Sequence, residues 1–192
     1  MGRLVISTNV SLDGVVQDPG GDEGFARGGW FATYGGEALT PWAAFMYEET
    51  LRLDALLLGR RSDEWFGSRW NSRTDDWAHA LNATPKYVIS ATVDAPVWAN
   101  STLLSGDPVK EAAKLKNDIV GTIVVYASYQ LGRLLLDKGL VDEIRLFVFP
   151  VVLGAGERIF GQTNDEKPLR LLESKTIGDG LVYVRYEVTR DA

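Results

Sequence analysis

The sequence predicts an α/β fold whose central sheet is mostly parallel and ends in an antiparallel hairpin. Short apolar runs of strand length recur along the chain, and segments with helical spacing separate them. Near the C-terminus, two strand-like runs instead flank a glycine-rich turn. Alternating strands and helices are typical of a parallel sheet, and the hairpin adds the antiparallel end.

The first part of the chain predicts a strand, a long loop and a helix. Residues 4–10 form an apolar, β-branched run, and Leu12-Asp13-Gly14 follows as a turn signal. Residues 17–36 are rich in glycine and contain aromatic side chains, which is more typical of a lid or pocket wall than of a linker. Thr40-Pro41 supplies an N-cap and a first-turn proline for a helix that should end near Arg52.

Strands and helices then alternate up to the C-terminal hairpin. The predicted strands are 54–59, 86–90, 122–126 and 144–149. The predicted helices begin at Ser62, lie around 77–81, and span 108–117 and 129–138. Residues 169–176 and 181–190 flank Gly178-Asp179-Gly180 and predict the hairpin.

Composition limits the class of protein. The 192 residues predict one domain, 1–192, with 45% hydrophobic and 24% charged residues. A net charge of -6 without any basic run argues against nucleic-acid binding. There is no cysteine, and we assign no role to His79, the only histidine, so we expect no metal site.

Without a signal-like start or an apolar run of about 20 residues, we expect a cytoplasmic protein that does not contact membranes.

The junction Gly59-Arg60-Arg61-Ser62 is the sharpest local feature. A buried strand ends at the glycine, and a helix begins behind two arginines and a hydroxyl. A helix N-terminus offers backbone N–H groups, and guanidinium adds bidentate donors, so the junction suits phosphate groups. The alternative is that both arginines are surface residues and Ser62 is an ordinary N-cap.

Two other strand ends also carry hydroxyls. Ser90 and Thr92 follow one strand, and Ala127-Ser128 follows another. Open α/β sheets bind ligands at the carboxyl ends of their strands. The chain has neither a Gly-x-Gly-x-x-Gly fingerprint after a strand nor a P-loop, and Gly154-Ala155-Gly156 is best interpreted as a tight turn.

Two residues are candidates for the substrate side. Asp13 could be a carboxylate that binds substrate at a strand end, although an aspartate that shapes its own turn is the better interpretation from the local sequence. Trp30 lies in the glycine-rich loop and could form a pocket wall.

An ordered set of motifs covers the chain from residue 3 to about residue 188. They are Ser11-Leu12-Asp13-Gly14, Gly29-Trp30, DALLLGRRS at 54–62, GLVDE at 139–143 and FPVVLGAG at 149–156. Together they resemble the reductase domain of riboflavin biosynthesis. That family shares the dihydrofolate-reductase-like, three-layer α-β-α fold, and this chain resembles a stand-alone member without a deaminase domain.

The resemblance implies NADPH as the hydride donor. It implies that Gly59, Arg60, Arg61 and Ser62 lie near the 2′-phosphate and pyrophosphate, with Ser90 and Thr92 near the adenosine end. It also implies that the turn of Ala127, Ser128, Gln130 and Leu131 faces the pyrophosphate and nicotinamide. Many members of the family carry glycine at the position of Ala127.

The activity implied is that of an oxidoreductase. It would transfer hydride to a small heterocyclic or ribosylamino-pyrimidine-like substrate, or to a folate, with Asp13 on the substrate side and Trp30 as a solvent-excluding wall. One alternative is an NADPH-binding regulatory module that has lost catalysis, and another is an interaction protein that assembles through a sheet edge. We expect a homodimer formed through 144–149 and 181–190, because such strands at the end of a sheet would otherwise be exposed to uncontrolled pairing.

Overall fold

Eight strands form a mixed sheet in the computed structural model, which describes residues 1–163 and 165–189. Their order in the sheet is β4-β3-β2-β5-β1-β6-β8-β7. The bounds are β1 Arg3–Ser11, β2 Ala55–Gly59, β3 Lys86–Ile89, β4 Ser101–Leu104, β5 Thr122–Tyr126, β6 Glu143–Phe149, β7 Leu169–Ile177 and β8 Leu181–Val188.

Six α-helices lie between these strands in the described part of the chain. They are α1 Trp30–Gly35, α2 Leu39–Thr50, α3 Arg60–Trp70, α4 Asp76–Ala83, α5 Pro108–Asp118 and α6 Tyr129–Asp137, with one 3₁₀ turn at Gly36–Ala38. None of these helices has the length and apolar character needed to cross a membrane.

Strand directions confirm the predicted fold class. β2 pairs in parallel with β3 and with β5, and β3 pairs in parallel with β4. β8 pairs antiparallel with both β6 and β7. The predicted hairpin is therefore present, and its last predicted residue, Arg190, lies outside the described residues.

The chain divides into two compact units, each made of two segments. The first contains residues 1–6 and 47–141, and the second contains residues 7–46 and 142–192. The length of the chain predicted one domain, and that assignment remains a prediction.

Buried aliphatic and aromatic side chains form the core of the first unit. Leu56 and Leu58 of β2 are fully buried beside Val88 of β3, as the continuous apolar runs predicted. The rings of Phe66 and Trp98 stack with centroids 5.0 Å apart. Each such side chain stabilises the fold by about 1.5–3 kcal/mol relative to its exposed state.

Aromatic side chains also dominate the core of the second unit. The ring of Trp30 meets that of Phe149 edge-on, with centroids 5.3 Å apart. Phe45 of α2 lies 4.8 Å from Tyr183 of β8, measured between ring centroids. The alternate residues Phe147 and Phe149 of β6 are both buried, which agrees with the period-two pattern of a strand.

Some element boundaries differ from the prediction. Helix α3 begins at Arg60 rather than Ser62 and runs to Trp70. The short strand β4 was not predicted, since Ser101–Leu104 is partly exposed and lacks an apolar run. The glycine-rich loop contains the short helix α1, which was not predicted because the low helix propensity of the surrounding glycines indicated a loop.

The sheet edge proposed from the sequence is wrong. β8 lies between β6 and β7, so neither β6 nor β8 forms the edge at this end of the sheet; β7 does. β7 carries an irregularity in its pairing between Leu171 and Glu173 and is largely exposed. Bulges and charged side chains are common protections of edge strands against uncontrolled pairing.

Candidate functional site

Three strand ends that carry polar residues lie side by side in the first unit. In the parallel pairing, Gly59 of β2 is opposite Ile89 of β3, and Leu57 of β2 is opposite Val125 of β5. The carboxyl ends of β3, β2 and β5 therefore meet at one edge of the sheet. The polar residues after these three strands are thereby brought to the same region.

Helix α3 begins directly at the end of β2. Gly59 is its N-cap residue, with extended backbone and no side-chain cap, and Arg60 is the first helical residue. The alternative interpretation of Ser62 as the N-cap is therefore wrong. Because the first N–H groups of a helix have no intrahelical acceptor, this turn offers donors to an anion.

Ser128 joins the starts of α3 and α6. Its buried hydroxyl accepts a hydrogen bond from the Gly59 N–H at 2.9 Å. The same hydroxyl donates to the Ser62 hydroxyl at 2.8 Å, with the Tyr126 carbonyl oxygen as a second acceptor at 3.1 Å. Ser128 immediately precedes α6, so two helix N-termini are held together at the sheet edge.

The two arginines differ in how strongly they are engaged. Arg60 forms an ion pair with Glu64 at 3.1 Å, one helical turn away, and both side chains are exposed. Arg61 is also exposed, and its side chain has no hydrogen-bond or ion-pair partner among the described residues. The Arg61 guanidinium is therefore the more available of the two for an anionic ligand.

Ala127 adopts the backbone conformation of a glycine. Its φ of 52° lies in the left-handed region, and its side chain is exposed. For an L-residue this conformation costs about 1–2 kcal/mol relative to the right-handed one. The turn between β5 and α6 thus keeps a glycine-like shape despite the alanine.

The other residues predicted to bind the cofactor offer fewer groups to a ligand. Gln130 is exposed in the first turn of α6, whereas Leu131 is buried, so only the Leu131 backbone N–H could face a ligand. The hydroxyls of Ser90 and Thr92 lie 3.3 Å apart, and the Thr92 N–H donates to Ser90 Oγ at 3.2 Å. These two residues form a local polar turn at the end of β3.

Asp13 connects two loops of the second unit. Its carboxylate accepts hydrogen bonds from the Leu153 N–H at 2.9 Å and the Gly154 N–H at 2.8 Å. The Ser11 hydroxyl donates to it at 2.7 Å, and the Arg158 guanidinium lies 3.5 Å away. Both oxygens are thus already engaged by the protein.

These contacts determine the ionisation of Asp13. Burial alone raises the pKa of the carboxyl, but hydrogen bonds from Leu153, Ser11 and Gly154 outweigh it and lower the pKa to about 2. Asp13 is therefore ionised near neutral pH and cannot serve there as a proton donor.

Trp30 lies at the wall of a cavity in the second unit. The side chain is only 1% exposed, and its indole N–H donates to the Gln17 carbonyl oxygen at 2.8 Å. The cavity has a volume of about 410 Å³. Its lining residues are Arg27, Gly28, Trp30, Thr33, Tyr34, Val152 and Leu153.

Sequence reasoning missed Asp18, which organises the glycine-rich loop. It is buried, has a positive φ of 47°, and accepts hydrogen bonds from the N–H groups of Asp22, Glu23 and Phe25. The adjoining Pro19-Gly20 is a turn signal that could have indicated this role.

Asp63 was also missed, and it has a comparable role in the first unit. Its buried carboxylate accepts from the Val97 N–H at 2.7 Å and the Trp98 N–H at 3.1 Å. No local sequence signal indicates these partners, because they are more than thirty positions away.

Comparison with known proteins identifies the family. The RibD C-terminal domain model matches residues 3–183. This chain belongs to the RibD C-terminal domain family. The uncharacterized protein YyaP of Bacillus subtilis is 25% identical over 190 residues, which cover 96% of this chain and 94% of YyaP.

Solved structures show the same fold at low sequence identity. A Shewanella sp. PV-4 protein with a suggested role in riboflavin biosynthesis superposes with a TM-score of 0.73 at 21% identity, covering 98% of this chain and 99% of that one. Dihydrofolate reductase from Enterococcus faecalis, complexed with NADP(H), gives a TM-score of 0.61 at 12% identity, covering 98% and 97%. The RibD C-terminal domain of this chain thus has a dihydrofolate-reductase-like fold, which confirms the predicted resemblance.

Proposed function

We propose that this protein is an NADPH-dependent reductase that transfers hydride to a small heterocyclic substrate of the ribosylamino-pyrimidine class. The observation that carries the proposal is the pair of helix N-termini joined by the Ser62–Ser128 hydrogen bond, with Arg60 and Arg61 exposed on the first turn of α3. This arrangement combines backbone donors and guanidinium groups at the end of parallel strands.

The donors at this edge match the phosphates of NADPH. Arg61 lacks a carboxylate partner within the described chain, so a 2′-phosphate could engage it without breaking an existing ion pair. The starts of α3 and α6 would bind the pyrophosphate through backbone N–H groups. The exposed turn at Ala127 would be next to the bound cofactor.

NADPH supplies the hydride when bound, and the residues of this chain hold and orient the reactants. Trp30 would exclude water from the substrate side, since it is a buried wall of a cavity. Asp13 would hold the Leu153–Gly154 segment in place, because its oxygens accept both N–H groups. Water would then supply the proton that completes the reduction.

The test compares NADPH and NADH by isothermal titration with the wild type and the Arg60→Ala/Arg61→Ala variant. The variant should lose much more affinity for NADPH, because each charge-assisted hydrogen bond contributes about 1.5–3 kcal/mol. Arg69→Ala/Arg73→Ala is the matched control, since both arginines are exposed and far along the chain from the start of α3: Arg69 lies in its last turn over Trp65, and Arg73 follows the helix and lies over Trp70. Equal losses of affinity for the two cofactors would show that the arginines do not contact the 2′-phosphate. No loss of affinity would show that they do not contact the cofactor.

The substrate class is tested by turnover. NADPH oxidation is followed at 340 nm while pterins and ribosylamino-pyrimidines are supplied to the wild type. Turnover of a pyrimidine but not of a pterin supports the proposed class, and the reverse preference contradicts it.

A module that binds NADPH without catalysis is the second candidate. It is favoured by the cavity lining, which contains no carboxylate or imidazole among the residues that the structure describes, and by the engaged carboxylate of Asp13. Tight NADPH binding without turnover on the whole panel would support this candidate over the reductase.

We also propose that the protein is a homodimer, as the family resemblance implies. Light scattering at micromolar concentration should give twice the 21.1 kDa chain mass. A monomer mass under these conditions would exclude the dimer.

A further inference from the structure

The segment between β3 and β4, residues 90–100, is fastened to the start of helix α3 by Asp63. Oδ2 of this carboxylate accepts the Val97 N–H at 2.7 Å, and Oδ1 accepts the Trp98 N–H at 3.1 Å. Asp63 lies in the first turn of α3 and is only 2% exposed. Each oxygen is therefore committed to one backbone donor, in a buried setting that strengthens both hydrogen bonds.

Two further residues of α3 hold the same segment. Asn71, at the end of the helix, donates from its amide to the Val97 carbonyl oxygen at 2.9 Å and accepts the Ala99 N–H at 2.9 Å. A Cβ atom added to Gly67 would lie only 2.8 Å from the Trp98 nitrogen, so the segment packs directly against the helix backbone. Positions 63, 67 and 71 are four residues apart, which places them on one face of α3.

The Trp98 side chain anchors the segment as firmly as its backbone does. Its ring stacks on that of Phe66 with centroids 5.0 Å apart and an interplanar angle of 12°. Its indole N–H donates to Asn82 Oδ1 at 2.7 Å, and the residue is only 2% exposed. The end of the 90–100 segment is thus fixed to α3 by both backbone and side-chain contacts.

Helix and segment each begin with residues assigned to the cofactor. The first two residues of α3 are the arginines assigned to the phosphates, and the segment begins with the polar turn of Ser90 and Thr92. Gly59 of β2 is opposite Ile89 of β3, so the two groups start on neighbouring strands about 4.8 Å apart. Beyond the strand ends, the contacts of Asp63 fix how far the helix and the segment diverge.

We propose that Asp63 is a positioning residue for the adenosine half of the cofactor, which fixes the separation between the arginines of α3 and the Ser90–Thr92 turn. This role rests on the proposed NADPH-dependent function. It goes beyond that function because it assigns recognition of the 2′-phosphate to a buried residue whose oxygens both bind the protein backbone. A nucleotide can engage both groups only when their separation matches its own dimensions.

The charge and the position of Asp63 predict opposite effects of Asp63→Asn. Loss of a negative charge near bound phosphates would by itself strengthen their binding. The amide, however, has one acceptor oxygen where the carboxylate has two, so its NH₂ group would face one of the two backbone donors. The segment must then shift away from α3, and binding should weaken. The sign of the change in affinity therefore separates a positioning role from a purely electrostatic one.

The experiment measures binding of adenosine 2′,5′-bisphosphate and of adenosine 5′-monophosphate to the full chain by NMR titration. The two probes differ by the 2′-phosphate, so the ratio of their affinities reports its recognition. Asp63→Asn should lower this ratio about fivefold or more, as expected for the loss of about one hydrogen bond to the ligand. Asn71→Ala should lower it in the same direction without any change in charge, and it tests the role even if Asp63→Asn does not fold.

Each variant has a matched control in the same unit. Asp75→Asn also converts a carboxylate at a helix start into an amide, since Asp75 caps α4 and accepts the Ala78 N–H at 3.1 Å. Asn117→Ala removes an exposed amide from the last turn of α5. Both controls should leave the affinity for the two probes unchanged.

The outcomes distinguish this role from the proposed function. Wild-type preference for the bisphosphate, together with an unchanged ratio in Asp63→Asn and Asn71→Ala, would overturn the role of Asp63 and leave the proposed function intact. Tighter binding by Asp63→Asn would overturn it in favour of electrostatics, and equal weakening of the two probes would make the residue merely structural. If the wild type binds neither probe, the proposed function fails and this role fails with it.

Discussion

The hydroxyl oxygens of Ser62 and Ser128 lie 2.8 Å apart, although the two residues are separated by 66 positions in the chain. Ser62 is in the first turn of α3, and Ser128 immediately precedes α6. The Gly59 N–H also donates to Ser128, so one hydroxyl holds the end of β2 and the starts of two helices. Two partial positive charges are thereby directed to the same edge of the sheet.

Ser128→Ala should lower the free energy of unfolding by about 1–3 kcal/mol, because it leaves the Gly59 N–H without its acceptor. NADPH affinity should fall with it as the two helix starts separate. Ser68→Ala is the control, since the exposed Ser68 hydroxyl bonds the carbonyl of Trp65 and the exposed guanidinium of Arg69 within the same helix, and its loss should change stability by about 0.5 kcal/mol or less. Urea unfolding measures both variants, and equal stability of the two would argue against the central role of Ser128.

Arg61→Ala should weaken NADPH more than Arg60→Ala does. Arg60 forms an ion pair with Glu64, with 3.1 Å between Nη1 and Oε1, whereas the Arg61 side chain has no hydrogen-bond or ion-pair partner in the described chain. Glu64→Gln should then strengthen NADPH binding, because it releases Arg60 and removes a negative charge near the phosphates. Dissociation constants for NADPH and NADH measure these effects. A larger loss in Arg60→Ala would show that the ion pair with Glu64 presents Arg60 to the cofactor.

Ala127→Gly should stabilise the protein by up to about 1 kcal/mol, because glycine adopts a φ of 52° without the strain of a Cβ atom. Ala32→Gly, on an exposed position of α1, should instead destabilise by about 0.5–1 kcal/mol. Urea unfolding of the two variants gives the comparison. Destabilisation by Ala127→Gly would mean that the turn tolerates alanine without strain.

Titration of the buried Lys86 ammonium group should make the free energy of unfolding depend on pH in the alkaline range. Its ammonium group donates to the carbonyls of Thr84 at 2.7 Å and Asn82 at 3.3 Å. Burial lowers the pKa of Lys86 to about 8, and the charge of Asp63 opposes part of this shift. Between pH 8 and 10.5 the unfolded chain keeps a proton that the folded chain has lost, so stability rises with pH in that window.

Lys86→Met removes this proton-linked contribution. The wild type should gain stability relative to the variant between pH 8 and pH 10.5, as measured by urea unfolding at intervals of half a pH unit. The change across the window is the readout, so a constant offset from altered packing does not matter. A difference that stays constant would contradict the lowered pKa of Lys86.

Much of the fold could be predicted because its signals are local. The run at 54–59 is apolar and ends in glycine, and it forms β2 with buried residues at positions 55–58. The same kind of run identified β3 and β5. The polar residues after these strands could therefore be assigned to one edge before their distances were known.

The parts that could not be predicted depend on contacts between distant residues. No local pattern indicates that Ser128 bonds Ser62 or that Asp63 binds the N–H groups of Val97 and Trp98. Strand order is also non-local, which is why β8 was wrongly taken as an edge. For Asp13, the local sequence suggested a turn, but its main partners are Leu153 and Gly154, about 140 positions away.

The same contacts of Asp13 should make the free energy of unfolding depend on pH in the acidic range, because they shift the pKa of its carboxyl. Burial raises the pKa of this carboxyl, but hydrogen bonds from Leu153, Ser11 and Gly154 lower it to about 2 from its ordinary value of 3.8. Because the folded chain releases the proton more readily than the unfolded chain, the ionised carboxylate stabilises the fold above about pH 4. This contribution is lost as pH falls from about 4 through 2.

Asp13→Asn replaces the carboxylate by an amide of similar shape that cannot ionise. The wild type should be more stable than the variant at pH 6, because an ionised acceptor forms stronger hydrogen bonds with the N–H groups of Leu153 and Gly154. The gap should narrow steadily between pH 4 and pH 2, since protonation of the wild type removes the same charge. Urea unfolding at pH 6, 4, 3 and 2 provides the comparison. A gap of constant size would show that the carboxylate charge does not stabilise the two loops.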